Sequence, residues 1–444
     1  MSNESVAVEQ INAEREVVTI PFTDIVFDEG LYPRVAGHDP ETVQTYARDM
    51  EQIEAAGKYI SVNAKGVLLD GRHRMLALKK LADGKQDFEV RVYRYSITSD
   101  LESFRLACWL QDRGKSLNNE DRQASAKRLY ALGDQKQQDI ARALGVSAST
   151  VSGWLSRTIK EEKQRKKEKA QAMWMACHTQ EEIAEAVEVD QKTVANWQDD
   201  FRKNSEDEDF LKARDFEPPI YNVWKQQNKS NAVSHFGNSE PRWVENLLWL
   251  YTQPGSVVVD PFAGSGSTID VCRKRGRRYY VSDRKPIVER EHEIRQHDLI
   301  AEDGSVQMPT VPRWKDVDLV YLDPPYWKQA EGQYSSDPSD LGNMDIDQFN
   351  ASLSGVVREF GKKLKNGKPR YIALIIQPTQ WKSNENKDCV DHIADLLRAV
   401  KLPVHMRYSV PYESQQCTAQ MVEWAKANKR CLVLTREIIV WEVA

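Results

Sequence analysis

No apolar run in the 444 residues approaches the roughly 18 needed to cross a bilayer, and the opening MSNESVAVEQINAERE is polar and acidic rather than basic and then apolar. Export and membrane insertion are therefore not expected, and a cytoplasmic protein with no membrane partner is. Cysteine is sparse: six residues, at 108, 177, 272, 389, 417 and 431, with no CxxC pair. That excludes a zinc knuckle and a disulfide framework, fits a reducing compartment, and leaves no His/Cys spacing that calls for a metal. Charge of one sign is also scarce, with 62 Lys and Arg against 67 Asp and Glu. A disordered polyelectrolyte is ruled out.

What is there is length enough for about three domains at about 150 residues each. The charge is uneven along that length. Residues 1–112 carry 13 basic against 19 acidic side chains, residues 113–203 carry 17 against 14, and residues 204–444 carry 32 against 34. The basic middle contains Arg157, Lys160, Lys163, Arg165, Lys166, Lys167 and Lys169 opposed only by Glu161, Glu162 and Glu168. Such a density can lie along phosphates, or can be the solvated face of a helix joining two modules.

Residues 17–95 alternate short β-branched runs with helical patterns, which predicts a small mixed α/β unit within a domain spanning 1–112. There the strand VLLD leads through Asp70-Gly71-Arg72-His73-Arg74 into the helix MLALKKLA, so three basic side chains meet at a helix N-terminus where an anion can sit. These residues resemble the amino-terminal domain of the ParB partition proteins and the related sulfiredoxin-like fold. The resemblance implies a nucleotide, CTP-like, with its phosphates on Gly71, Arg72, His73 and Arg74. The adjacent arginines after Gly-Glu that mark CTP-binding members are missing here. The alternative is that Arg72 and Arg74 pair with acidic neighbours and hold the domain together.

The central region, 113–203, reads as all-α. In QQDIARALGVSASTVSGWLSRT, within 117–158, Ile140, Ala141, Leu144, Val146, Val151 and Leu155 recur at helical spacing, Gly145 supplies a turn and Ser147 can cap the next helix. This is a helix-turn-helix pattern, whose second helix turns polar residues such as Ser149, Thr150 and Ser152 toward a major groove. A second copy within 173–203 offers Lys192, Thr193 and Asn196, with Val187-Glu188-Val189 weakening its turn. A helical packing module used for homodimerisation is the alternative. An acidic linker is expected over 204–217, and a new domain over 218–444.

That last domain carries the chemistry. A buried strand, Val257-Val258-Val259, runs into Asp260-Pro261-Phe262-Ala263-Gly264-Ser265-Gly266-Ser267-Thr268 and a helix. Doubly wound folds receive a nucleotide-like cofactor at such a turn, and the next strand ends in Asp283, about 20 residues on, where a carboxylate can take both ribose hydroxyls. A third strand ends near His297-Asp298, and a fourth, Val317 to Leu322, ends in Asp323-Pro324-Pro325-Tyr326.

DPFAGSGST together with DPPY resembles the amino-methyltransferases that use S-adenosylmethionine to methylate adenine N6 or cytosine N4 in DNA, over essentially all of 218–444. The resemblance implies that Asp260 to Gly266 surround the methionine part of the cofactor, with Phe262 packed on it, Asp283 on the ribose and Asp298 on the adenine amino group. Asp323, Pro324, Pro325 and Tyr326 would form the catalytic pocket for a flipped base, with Trp327 helping Tyr326 to stack. Strands at Tyr371–Gln377, His405–Val410 and Leu432–Glu442 would complete seven, and the loop Lys328–Met344 would cover the pocket. The span from Gly266 to Asp323 holds only core elements, so target recognition is expected from the basic helix-turn-helix region, alone or with the ParB-like unit.

The fold class expected is thus α/β: a Rossmann-like seven-stranded methyltransferase sheet behind an all-α helix-turn-helix region and a small ParB-like α/β domain. The function expected is site-specific methylation of double-stranded DNA, adenine N6 before cytosine N4. The rivals are a DNA-binding partition or regulatory protein with a non-catalytic methyltransferase scaffold, and an RNA methyltransferase.

Overall fold

The computed structural model describes the chain except residues 1–3, 9–10, 36, 84, 86, 114–115, 134, 208–213, 226–239, 328–336, 338–339, 379–391, 412–417 and 430. It divides into two compact units, Met1–Gln164 and Arg165–Ala444.

The first unit begins with β1 (Glu4–Val8), β2 (Ile11–Pro21), α1 (Pro40–Arg48), α2 (Met50–Ala55), β3 (Ile60–Val62), β4 (Leu68–Asp70), α3 (Arg72–Ala82) and β5 (Glu89–Tyr95). The strands form one sheet in the order β1-β2-β5-β3-β4, with β3 parallel to β5 and the other pairs antiparallel. In β5, Val90 and Val92 are buried while Glu89 and Arg91 face solvent, the period-2 alternation of a strand with one covered face. Met75 and Leu78 of α3 close that face together with Ile60 and Val62.

Helices α4 (Asp100–Arg113), α5 (Asn119–Ala131), α6 (Gln137–Ala143) and the start of α7 (Ala148–Met175) follow. Ile140, Ala141, Leu144, Val151 and Leu155 are all buried with Phe104, Cys108, Ala126 and Leu129. Gly145 turns the chain at φ +64°, Val146 N–H donates to the Ala141 carbonyl at 3.0 Å, and Ser147 Oγ accepts from Thr150 N–H at 3.1 Å.

The second unit repeats this scheme 43 positions later, counting from residue 145 to residue 188. The carboxyl half of α7 leads to α8 (Gln180–Val187) and α9 (Gln191–Asp207). Val189 N–H donates to the Ala184 carbonyl at 3.0 Å, and Asp190 caps α9 by accepting from Thr193 N–H at 2.8 Å. The turn expected to be weak is made by Glu188 in the left-handed region at φ +53°. Trp174, Val194, Trp197 and Phe201 share one core with Trp243 and Leu247 of α10 (Pro241–Tyr251), so the second copy is built into the carboxy-terminal unit. The basic run is partly engaged by it: Lys166 pairs with Glu188, Lys167 with Asp200, and Lys169 donates to the Ala186 carbonyl.

After α10 come β6 (Val257–Asp260), α11 (Ser267–Lys274), β7 (Arg278–Asp283), β8 (Arg295–Gln296), β9 (Val317–Leu322), α12 (Ile346–Leu364), β10 (Arg370–Ile376), α13 (Ile393–Val400), β11 (Val404–Pro411), α14 (Ala419–Ala427) and β12 (Thr435–Val443). The seven strands are ordered β11-β12-β10-β9-β6-β7-β8; β6, β7, β8, β9 and β10 pair in parallel, and β12 runs antiparallel to β10 and β11. Burial on both faces explains the unbroken Val257-Val258-Val259 run. Val258, Tyr279, Leu319, Tyr321 and Ile375 pack toward α10, while Val259, Tyr280, Val320, Leu322 and Ile376 pack with Phe349, Leu353, Val356 and Phe360 of α12.

The second copy meets the sheet at the amino ends of its strands. Arg278, which opens β7, donates from Nε to the Trp174 carbonyl at 3.1 Å, and Arg295 of β8 donates to the Ala176 carbonyl at 2.8 Å. A cavity of about 260 Å³ lies at that edge, lined by Thr179, Gln198, Val257, Arg278 and Arg313 among others. The acidic stretch 204–217 is docked where it is described. Residues 204–207 end α9, Asp215 pairs with Lys274 and Arg275, and Phe216 is buried under Arg242.

Two outcomes follow from these contacts. A fragment of residues 165–444 is expected to unfold cooperatively in urea, whereas one of 218–444, stripped of Trp174, Trp197 and Phe201, loses several kcal/mol and melts early or not at all. Glu188→Gly relieves a left-handed L-residue and is expected to raise stability by about 0.5–1 kcal/mol, read as a higher urea midpoint.

Candidate functional site

Strand order reverses between β6 and β9: from β6 the chain goes on to β7 and β8, and β9 returns to the other side of β6. A crevice opens at such a point beyond the carboxyl ends of the strands. Val258 pairs with Leu319 and Val259 with Val320, so Asp260 and Asp323 leave neighbouring parallel strands into it.

Asp260 is 2% exposed. Its Oδ1 accepts from Phe262 N–H at 2.9 Å and its Oδ2 from Thr268 Oγ at 2.6 Å, which ties the loop's start to the helix that follows. Burial pushes its pKa up to about 7; those two hydrogen bonds oppose the shift, and the charges of Asp323 and Asp283 add to it. Pro261 and Ala263 are buried and Phe262 half-buried, and Ala263 N–H donates to the Ser282 carbonyl at 3.0 Å. Gly264 and Gly266 have φ +51° and +82°. Gly264 N–H donates to Asp283 Oδ2 at 2.9 Å, so the carboxylate ending β7 holds the loop directly.

A Cβ on Gly266 would stand 2.8 Å from Arg290 Nη1. The Arg290 guanidinium donates to the carbonyls of Ser265 and Gly266 at 3.3 and 2.9 Å and pairs with Asp270 and Glu293. No sequence motif points to Arg290. Thr268 was legible only as the last letter of the glycine-loop motif. The third strand, β8, stops just before His297-Asp298, and Asp298 Oδ2 pairs with Arg284 Nε at 3.1 Å.

In the strand-end motif Pro324 is buried while Asp323, Pro325 and Tyr326 are half-buried. The Tyr326 hydroxyl donates to Asp323 Oδ1 at 3.3 Å. Trp327 corrects an expectation: it is 1% exposed, donates from Nε1 to the Met344 carbonyl at 3.0 Å, and packs in the α12 core, where it cannot stack on an entering base. The expected cover loop Lys328–Met344 lies largely outside the described residues.

Elsewhere, Ser149 and Ser152 are exposed at the start of α7, while the Thr150 hydroxyl is shared with Ser147 Oγ at 2.8 Å. Lys192 and Asn196 are exposed on α9, and the Thr193 hydroxyl is held by Asp190 at 2.8 Å. Gly71 precedes α3 at φ +95°. Arg74 bonds Asp70 at 2.7 Å and the Lys58 and Tyr59 carbonyls, and His73 Nε2 accepts from Asp39 N–H at 3.0 Å, so both have structural partners. Arg72 lies 4.6 Å over the Phe27 ring. Arg74 is thus held by an acidic neighbour, as the alternative expects, while Arg72 packs on an aromatic ring.

Fold and crevice together define a Rossmann-like α/β domain with a glycine loop and an acidic strand-end turn side by side. Residues 129–290 match the family model described as DNA methylase. The match takes in the helix-turn-helix residues, the Asp260–Gly266 loop and Asp283, and ends before Asp323; it overlaps the span assigned from motifs over 218–290. The Type II methyltransferase M.XycI of Xanthomonas campestris pv. cyanopsidis is 37% identical over 57 residues, 13% of this chain and 19% of that relative. The chain thus matches about a fifth of that relative's length. A solved Pnob8-like ParB-N domain is 13% identical, with 33% of this chain and 71% of that one covered and a TM-score of 0.24. A solved antibiotic-related methyltransferase is 11% identical, with 45% and 94% covered and a TM-score of 0.22.

The Asp260 shift makes a signed prediction. The native protein holds this proton up to about pH 7, whereas the ordinary value is 3.8, so the contribution of protonated Asp260 to stability is present at low pH and lost as pH rises through 7. Urea midpoints taken at pH 6 and pH 8 should fall more steeply for the native chain than for Asp260→Asn. Equal slopes would place the ionisation elsewhere.

Proposed function

We propose that the chain methylates an exocyclic base amine of DNA, using S-adenosylmethionine, with adenine N6 as the target. The observation that carries this reading is the adjacency of the Asp260–Gly266 loop and Asp323-Pro324-Pro325-Tyr326 on neighbouring parallel strands. The DNA methylase match over residues 129–290 supports it.

The residues fit such a cofactor. Gly264, in the left-handed region, lets the loop turn at the crevice without a side chain, Gly266 makes room for the Arg290 guanidinium that holds the loop's carbonyls, and Asp283 stands at the end of the neighbouring strand with the acceptor oxygens that ribose hydroxyls need. Asp298, on the same side, can accept from the adenine amine. When bound, S-adenosylmethionine supplies an electrophilic methyl group on a sulfonium.

The chain's own part is orientation. An aromatic amine is a poor nucleophile because its lone pair is delocalised into the ring. Asp323 and the Pro324 carbonyl accept its two hydrogens, which favours a tetrahedral nitrogen with the lone pair directed outward. The amine takes over the place that the Tyr326 hydroxyl holds at Asp323, and the Tyr326 ring then stacks on the base. Transfer from a bound cofactor would form one N–C bond as one S–C bond breaks, leaving a cationic nitrogen whose proton Asp323 would accept and pass to solvent. Asp rather than Ser at the head of the motif favours adenine over cytosine N4. The exposed Ser149, Ser152, Lys192 and Asn196 are proposed contacts to double-stranded DNA.

Asp323→Ala is expected to lower transfer of tritiated methyl to DNA by at least 1,000-fold while S-adenosylhomocysteine binding stays within about threefold. Asp283→Ala should do the reverse, weakening cofactor binding first. Near-normal transfer by Asp323→Ala would sink the mechanism, and methylation of cytosine in the product would correct the base.

A further inference from the structure

One guanidinium joins the two halves of this site. Arg284 follows Asp283 directly at the end of β7, and Lys285 N–H folds back to Asp283 Oδ1 at 2.9 Å, which fixes the turn that carries it. Its Nε lies 3.1 Å from Asp298 Oδ2 and its Nη2 lies 2.5 Å from Asp337 Oδ2. Asp298 belongs to the cofactor side. Asp337 belongs to the segment that follows the strand-end motif, and that segment is tied to the motif itself. The Asp337 carbonyl accepts from Asn343 Nδ2 at 2.8 Å, and the next residue, Met344, accepts from Trp327 Nε1 at 3.0 Å, one residue beyond Tyr326.

From this chain of contacts we infer that Arg284 is a positioning residue that couples the adenosyl end of the cofactor site to the base pocket. The inference rests on the reading of the crevice given above. Arg284 engages one oxygen of Asp298, so the other can still accept from an amine, and the carboxylate is held in one orientation for it. The same fork holds Asp337, and through it the backbone behind Trp327. Lysine, a point donor on a flexible stem, serves one carboxylate well but not both in fixed geometry. Cofactor and base are thus aligned by a shared cation, which matters because the methyl and the nitrogen must meet within a fraction of an ångström.

The two carboxylates make the coupling separable. In the full-length chain, Asp337→Asn should leave S-adenosylhomocysteine affinity, by calorimetry, within about twofold of native and the melting temperature unchanged. It should raise the DNA KM or lower kcat by about tenfold. Arg284→Met should weaken S-adenosylhomocysteine binding about tenfold and carry the same DNA defect, with Arg284→Lys recovering more of the cofactor affinity than of the DNA step. Native kinetics in Asp337→Asn, or a defect in Arg284→Met confined to the melting temperature, would overturn the inference. A native chain that binds no S-adenosylhomocysteine would instead sink the reading of the crevice beneath it.

Discussion

Two neighbouring parallel strands whose continuations leave in opposite directions cannot be roofed by either continuation, and the rest of the carboxy-terminal unit depends on that constraint. Because β6 continues toward β7 and β9 toward β10, the carboxyl ends of both stay open. Asp260 is close enough there to sense the charge of Asp323. The carboxylates of Asp260, Asp283 and Asp323 accumulate at one edge, and burial there is tolerated only because Thr268 and the backbone N–H groups of Phe262, Gly264 and Lys285 satisfy oxygens of the first two.

The opposite edge of the sheet has the contrary character. Arg278 and Arg295 stand at or near the amino ends of their strands and reach carbonyls at the end of α7. The Trp174 carbonyl also accepts from Cys177 N–H at 3.0 Å in the turn that closes the helix, and Arg278 adds a second donor to it. The second helix-turn-helix copy is thereby made part of the carboxy-terminal unit, at the end of the strands away from the crevice. The first copy has an independent core on Phe104, Cys108 and Leu129.

Much of this was legible in the sequence because local chemistry and tertiary need coincide. The valine run of β6, the acidic end of β7 and the prolines after β9 each mark a strand end that could be little else, and Ser147 caps as its position predicts. The failures share a different cause. Nothing local distinguishes Trp327, buried, from Tyr326, half-buried, because which side of a turn faces the core is decided by α12. Arg74 and Lys167 belong to runs that could meet phosphate, yet Arg74 pairs 4 residues back and Lys167 33 residues on, while Arg284 and Arg290 carry no local signal because their partners lie 14 or 53 and 20 residues away. Glu188 shows the same limit on the backbone, since a left-handed turn is affordable to a glutamate once Ile183, Val187 and Val194 are packed.

The anchoring of Trp327 has a mechanical consequence. With proline at 324 and 325 and an indole locked behind them, the turn carrying Tyr326 resembles a beam clamped at both ends: its ring can pivot about its own bonds, but its backbone has little room to follow a guest. A receptor of that stiffness sorts guests by shape instead of adapting to them. Loosening the clamp should therefore broaden what is accepted before it weakens what is held.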